Sequence, residues 1–268
     1  MAPDGMTRAV RQLLGLGRLL PLGEAADGAW LAEKAADSVL RRAAAAVPGV
    51  KLGSLRIGLT DPDAAVEPAV PPPPGALPPG PLRIQADLTA DTGGEPLPHR
   101  AERLRIALRE AASARLGLAV TAVDLRVTDL VEAGQEPVPA TPPDEGHGGR
   151  DEEAVGEGSA RPDEQPDQQP GGEPGEPETA PEGGAGGPDT GDTARRAAAA
   201  AAATAVPGVA RLTHVLGAPV RLRDDHVQIE LATAPGHRAL AVAVAVRRAV
   251  AASQEGRPTV AVLVTDVE

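Results

Sequence analysis

One stretch recurs so closely that it limits the folds open to this chain: Ala43–Val50 reads AAAAVPGV, and Ala202–Val209 reads AATAVPGV. Each copy is followed by a matching apolar end, LRVTDL at Leu125–Leu130 and VLVTDV at Val262–Val267. Between these landmarks lies HRA, at His99–Ala101 and again at His237–Ala239. Self-similarity over so long a period marks duplicated structural units, so the chain reads as two related folds and not as one catalytic domain. The units are expected at residues 27–130 and 192–268, after an N-terminal amphipathic segment at residues 1–26.

The first repeat is the longer, and its surplus is almost all Asp61–Pro81, DPDAAVEPAVPPPPGALPPGP. Proline supplies no amide donor and holds φ fixed, so such a run belongs to neither a helix nor a paired strand. It is expected to project as a stiff loop between two strands. A second tract, Val131–Gly191, holds 16 acidic residues and 2 arginines in a chain whose net charge is −12, so the excess negative charge lies there and the remainder is near neutral. It offers too little apolar surface to offset the entropy of ordering it, and is expected to be a disordered, extended linker.

Within the first unit, Leu31, Ala35, Val39, Ala43 and Val47 recur at helical spacing behind Asp27, a candidate N-cap, and Pro48-Gly49 ends the run. Strands are expected at Leu55–Leu59 and Leu82–Leu88, the second alternating Leu82, Ile84, Ala86 and Leu88 with polar residues. A helix near Pro98–Leu116 and a strand at Val120–Val127 close the unit. The second unit repeats the order: a helix at Thr193–Ala205 behind Asp192, strands at Arg211–Val215, Val220–Arg223 and Val227–Ala234 with a turn at Asp224–His226, a helix at Ala239–Ala252 and a strand at Thr259–Thr265. The alternation AVAVAV near Val242 suits a strand, but alignment with the first unit through HRA and the alanine content favour a helix. The fold class is therefore α+β, as two small two-layer α/β sandwich units of helix–strands–helix–strand order. The pattern leaves open whether they pack together or are only tethered.

No set of side chains assembles into a recognisable reaction centre. The histidines are His99, His147, His214, His226 and His237, no two of them spaced i, i+4, and there is no cysteine to complete a metal site or a disulfide. His99 and His237 open equivalent helices, where a structural role outweighs general-base work, and Asp129 and Asp266 are read as turn or cap residues at the ends of the closing strands. Gly183–Gly187 reads GGAGG but lies inside the linker, away from any strand–helix context for phosphate. No catalytic, cofactor-binding or metal residue is assigned. The near-neutral folded parts and a single aromatic, Trp30, also argue against nucleic acid, despite the arginines at Arg41-Arg42 and Arg247-Arg248. No apolar run is long enough to span a membrane. The stretch from Met6 to Leu20 has the leucines and arginines of a surface-binding helix, weakened by Gly15 and Gly17, so a cap on the first unit and a membrane-surface anchor are both readings of it.

An Ala-rich helix, Val206-Pro207-Gly208-Val209, strands, the helix bearing Val246-Arg247-Arg248-Ala249-Val250, and the closing Val262-Leu263-Val264-Thr265-Asp266-Val267 together resemble the alkaline-shock-protein family of bacterial envelope stress proteins. The second unit is similar over nearly its whole length. The first matches at Val47–Val50 and Leu125–Asp129 around its proline insertion. The resemblance implies a non-enzymatic, cytoplasmic protein that interacts with a protein partner, itself membrane-anchored, in envelope stress or homeostasis of an actinobacterium, with self-association of the units as a further expectation. It implies no cofactor. A peripheral membrane protein and an enzyme with a site between the units are the alternatives.

Overall fold

The computed structural model describes residues 15–132, 190–223 and 225–268. The described residues belong to one compact unit. The greater part of the predicted linker falls outside them, as do residues 1–14 of the N-terminal segment.

The fold is mixed α+β, with two sheets and four helices among the described residues. Strands β1 (Leu19–Pro21) and β2 (Ala29–Ala32) lead into helix α1 (Glu33–Ala45). Then come β3 (Val50–Leu59), β4 (Leu82–Asp91), helix α2 (Leu97–Glu110) and β5 (Val120–Val131). Helix α3 (Thr190–Thr204) then precedes β6 (Val209–Leu212), β7 (Val220–Arg223), β8 (His226–Thr233), helix α4 (Ala239–Ser253) and β9 (Thr259–Val267). The alternating AVAVAV is thus helical, with Val242, Ala243, Val246 and Val250 buried on one side.

The sheets show what the repeat encodes. In the first, β3 pairs antiparallel with β4, and β4 pairs parallel with β5 across α2. In the other, β6 and β7 pair antiparallel with β8, and β8 pairs parallel with β9 across α4. The one continuous strand of the first repeat, shifted in register between Leu52 and Leu55, corresponds to two strands in the second. The excursion 213–219 separates them. It closes on β8 through Thr213 N–H to Glu230 O at 3.0 Å and Glu230 N–H to Pro219 O at 2.9 Å. Pro219 has no amide to give a ladder and serves as an acceptor only.

The structure departs from the sequence pattern in three places. Asp27 does not cap a helix, since its carboxylate accepts the Glu24 amide at 2.8 Å and closes a short 3₁₀ turn. Ala29–Ala32 is instead a strand, parallel to β9, with Ala29, Trp30 and Leu31 opposite Val262, Leu263 and Val264. This pairing outweighs a helical spacing that Leu31 shares with Ala35 and Val39. Likewise Leu20 belongs to β1, antiparallel to β2, and not to an N-terminal amphipathic helix; Leu16, Leu19, Leu20 and Leu22 are all buried. The third correction concerns Asp61–Pro81, which does not project. Leu77 N–H donates to Leu19 O at 2.8 Å, Ala69 N–H donates to Ala25 O at 3.1 Å, and the Trp30 indole donates to Leu77 O at 3.3 Å. Val70 is buried against the Gly28 turn. The only aromatic residue is thereby sealed beneath the proline segment. Helix α3 starts at Thr190, so Asp192 lies in its first turn and not at its cap.

One aliphatic core runs through both repeats. Helix α1 contacts β3 in one sheet and β9 in the other, and so joins them. The end of α2 widens into a π-helical turn over Ala111–Leu116, and Gly117 then takes a left-handed φ of 93° directly against Leu240 of α4. A Cβ at Gly117 would lie 2.4 Å from that of Leu240, so only glycine permits this approach.

Candidate functional site

The repeated motifs go first to framework. After each Val-Pro dipeptide a glycine turns left-handed, Gly49 at φ 73° and Gly208 at φ 93°. Each glycine carbonyl accepts an amide from the end of the middle strand, Asp91 at 3.1 Å and Ala234 at 2.8 Å. The HRA segment packs on this corner in both repeats. Arg100, buried in α2, donates to Gly49 O at 2.9 Å and pairs with Asp91, while the His237 ring lies directly over Gly208. His99 is exposed and faces Glu95 at 3.8 Å.

The V-T-D motif is a β-bulge made twice. In β5 the register against β4 skips Thr128, and in β9 the register against β8 skips Thr265. The skipped hydroxyl donates across the strand pair at 3.3 Å in each case, Thr128 to Leu88 O and Thr265 to Leu231 O. The next carboxylate folds back onto its own chain: Asp129 accepts Leu130 N–H at 2.8 Å and Asp266 accepts Val267 N–H at 2.9 Å. Asp129 and Asp266 are thus bulge residues within strands, where turn or cap roles at strand ends were expected. An extra residue of this kind bends the strand, and the ladder resumes beyond it with Asp129 opposite Thr89 and Asp266 opposite Ala232.

Titratable groups off these motifs are also committed to structure. Glu230 of β8 is fully buried; it accepts Leu216 N–H at 2.9 Å and Arg221 Nη2 at 2.7 Å, and so organises the excursion between β6 and β7. Burial raises its pKa above the ordinary carboxylate value despite these two partners. The amides and the guanidinium offset only part of the desolvation. His226 is pushed below the usual imidazole value by burial and by Arg223, and its Nδ1 lies 2.8 Å from Thr259 Oγ1. A cavity of about 270 Å³ where the two repeats meet is lined by Arg42, Arg115, His237 and Arg238. Two of those guanidinium groups brace carbonyls across the junction, Arg42 to Val267 O at 3.0 Å and Arg238 to Ser113 O at 3.1 Å. Among the described residues no group of three or more acidic or histidine side chains is placed to hold a metal, and no helix is long and apolar enough to cross a membrane.

What distinguishes the two repeats is their sheet edges. Along β9, the span Val262–Val264 just before the bulge is covered by β2. Aligning the two V-T-D motifs makes Leu125–Val127 of β5 the counterpart of that span, and among the described residues no strand lies outside it. Its sheet is guarded at the other end. Glu33 Oε1 accepts Ile57 N–H at 3.0 Å, Arg18 donates to Ile57 O at 3.2 Å, and Arg41 donates to the carbonyls of Leu52 at 3.2 Å and Gly53 at 2.8 Å. Side chains thus satisfy backbone groups that would otherwise invite another strand. Strand β5 bears Val127 at 39% exposure and Leu130 at 56%, two of four exposed large hydrophobic residues among those described. A third, Ile106 at 45%, lies on α2, the helix packed on β5. Sequence reading assigned no site here. The signal available to it was the apolar alternation Val123, Leu125, Val127, which is richer than a solvated edge requires. No protein-family model, curated protein or solved structure matches this chain.

Proposed function

We propose that this protein is a non-catalytic interaction and scaffold protein of the alkaline-shock type, and that a partner strand docks along the outer edge of β5. In this reading each repeat is a small two-layer α/β unit, and the acidic tract links them. The resemblance of the V-P-G-V and V-T-D segments to that family supports a cytoplasmic role in envelope stress or homeostasis, with a protein partner at the inner face of the membrane. One observation carries the docking edge: the equivalent edge of β9 is closed by β2, and that of β5 is open among the described residues. Strand addition uses main-chain hydrogen bonds for affinity and alternate side chains for specificity, and an open edge offers both.

The chain contains no cysteine, so a single introduced thiol reports one position. Leu125→Cys, carrying a short thiol-to-amine cross-linker in host cells, is expected to yield a protein adduct. Val66→Cys, on the exposed surface of the proline segment, is expected to yield none. Equal labelling from the two positions would mean that the edge is not a docking surface.

A further inference from the structure

Building on the docking edge just described, we infer that its occupant is β5 of a second molecule of this protein, paired antiparallel about a two-fold axis at Leu125. An interface that uses the same edge on both partners is isologous, and two identical strands related by a two-fold axis in this way run antiparallel. Directly opposed residues then share a face of the sheet. With Leu125 opposite itself, Val123 meets Val127, and Asp124 meets Arg126 on both sides of the axis. The apolar row continues the face that already buries Val123, and it covers Val127. The charged row puts opposite signs together twice.

The adjacent registers, with the axis moved by one residue or by half a step, fail on charge or on face. Centring on Arg126 sets two guanidinium groups against each other, and centring on Asp124 does the same with two carboxylates. A shift by half a step opposes Asp124 to Leu125 and breaks the alternation between apolar and polar faces. Arg126 makes no ion pair among the described residues, whereas Asp124 holds only a half-exposed contact with Arg83 at 3.4 Å. Both are available to a partner. Pairing over Val123–Val127 stops short of the bulge at Thr128, just as the span of β9 that β2 covers stops short of the bulge at Thr265.

The test is reciprocal charge reversal on the full chain, read by light scattering and sedimentation. The unaltered protein is expected to be a dimer. Asp124→Arg sets two guanidinium groups against each other in both cross-strand pairs, and Arg126→Asp sets two carboxylates together in the same places. Each variant alone should weaken self-association by roughly tenfold or more in Kd, because two attractive cross-strand pairs become repulsive. Mixing the two variants gives pairs of opposite sign again, so a heterodimer of near-native affinity should form. Misfolding cannot produce that recovery, and native Trp30 fluorescence of each variant checks folding independently. An unaltered protein that stays monomeric, variants that remain dimers, or a mixture that stays monomeric would each overturn the inference. If the purified protein is monomeric while Leu125→Cys still captures a different protein in cells, self-pairing is wrong and the docking edge stands. Failure of both experiments removes the edge as well.

Discussion

Replacing each bulge threonine by valine tests whether the repeated motif is framework, with one repeat serving as control for the other. Valine keeps the β-branched shape, so the change removes the hydroxyl and little else. In the second repeat Thr265 Oγ1 donates to Leu231 O at 3.3 Å and lies 2.8 Å from Thr213 Oγ1. Because the single Thr265 proton goes to the carbonyl, Thr213 is the donor in that second contact. Thr265→Val therefore removes two bonds and leaves the buried Thr213 hydroxyl without its acceptor. An orphaned buried donor costs about 1–3 kcal/mol, so the variant should lose about 2–3 kcal/mol. In the first repeat Thr128 makes only the 3.3 Å bond to Leu88 O, on an exposed strand where water replaces it. Thr128→Val should cost below about 0.5 kcal/mol. Urea unfolding of both variants, followed by Trp30 fluorescence, reads the difference. Equal losses, or a larger loss for Thr128→Val, would refute the claim that burial of the hydroxyl pair sets the cost.

Gly208→Ala should destabilise by about 2–4 kcal/mol, since it combines a left-handed φ with a Cβ only 2.7 Å from the His237 ring and from Val242; urea midpoints measure it. Gly236→Ala, at a φ of 78° with nothing within 4 Å, should cost about 1 kcal/mol, and equal effects would exclude the steric explanation. Because burial raises the Glu230 pKa, its contribution to stability is fullest in acid and falls as pH rises from the unfolded carboxylate value through the folded one. Glu230→Gln should abolish that slope, so the variant should gain relative to wild type as pH rises above the ordinary carboxylate value in urea titrations; a constant difference would contradict the raised pKa. Val70→Asp, which places a carboxylate beneath the proline segment, should cost about 3 kcal/mol or more and shift Trp30 emission to the red. Val66→Asp, at a position 52% exposed, should change stability by less than about 0.5 kcal/mol, and thermal melts compare the two.

Turns and closing strands were legible in the chain because their chemistry is local. Proline ends a helix within a residue or two, glycine takes the left-handed turn, and the Asp129 and Asp266 carboxylates bind the very next amide. The order of elements could be read for the same reason, and the HRA alignment settled a segment whose alternation pointed the wrong way. The docking edge was only half legible. Val123, Leu125 and Val127 advertise a strand with an apolar face, yet nothing in them says whether another strand already covers that edge.

Coverage was decided by partners remote in sequence. Ala29–Ala32 fits a helical stripe through Leu31 as well as it fits a strand, and its pairing with Val262–Val264 settles the matter. The prolines of Asp61–Pro81 exclude a regular element, but Leu19, Ala25 and Trp30 decide that the segment lies down. Local backbone chemistry selects turns and strand ends at short range. Which sheet edge is sealed, and which is left open, depends on hydrogen-bond donors and acceptors brought together only when the two ends of the chain meet.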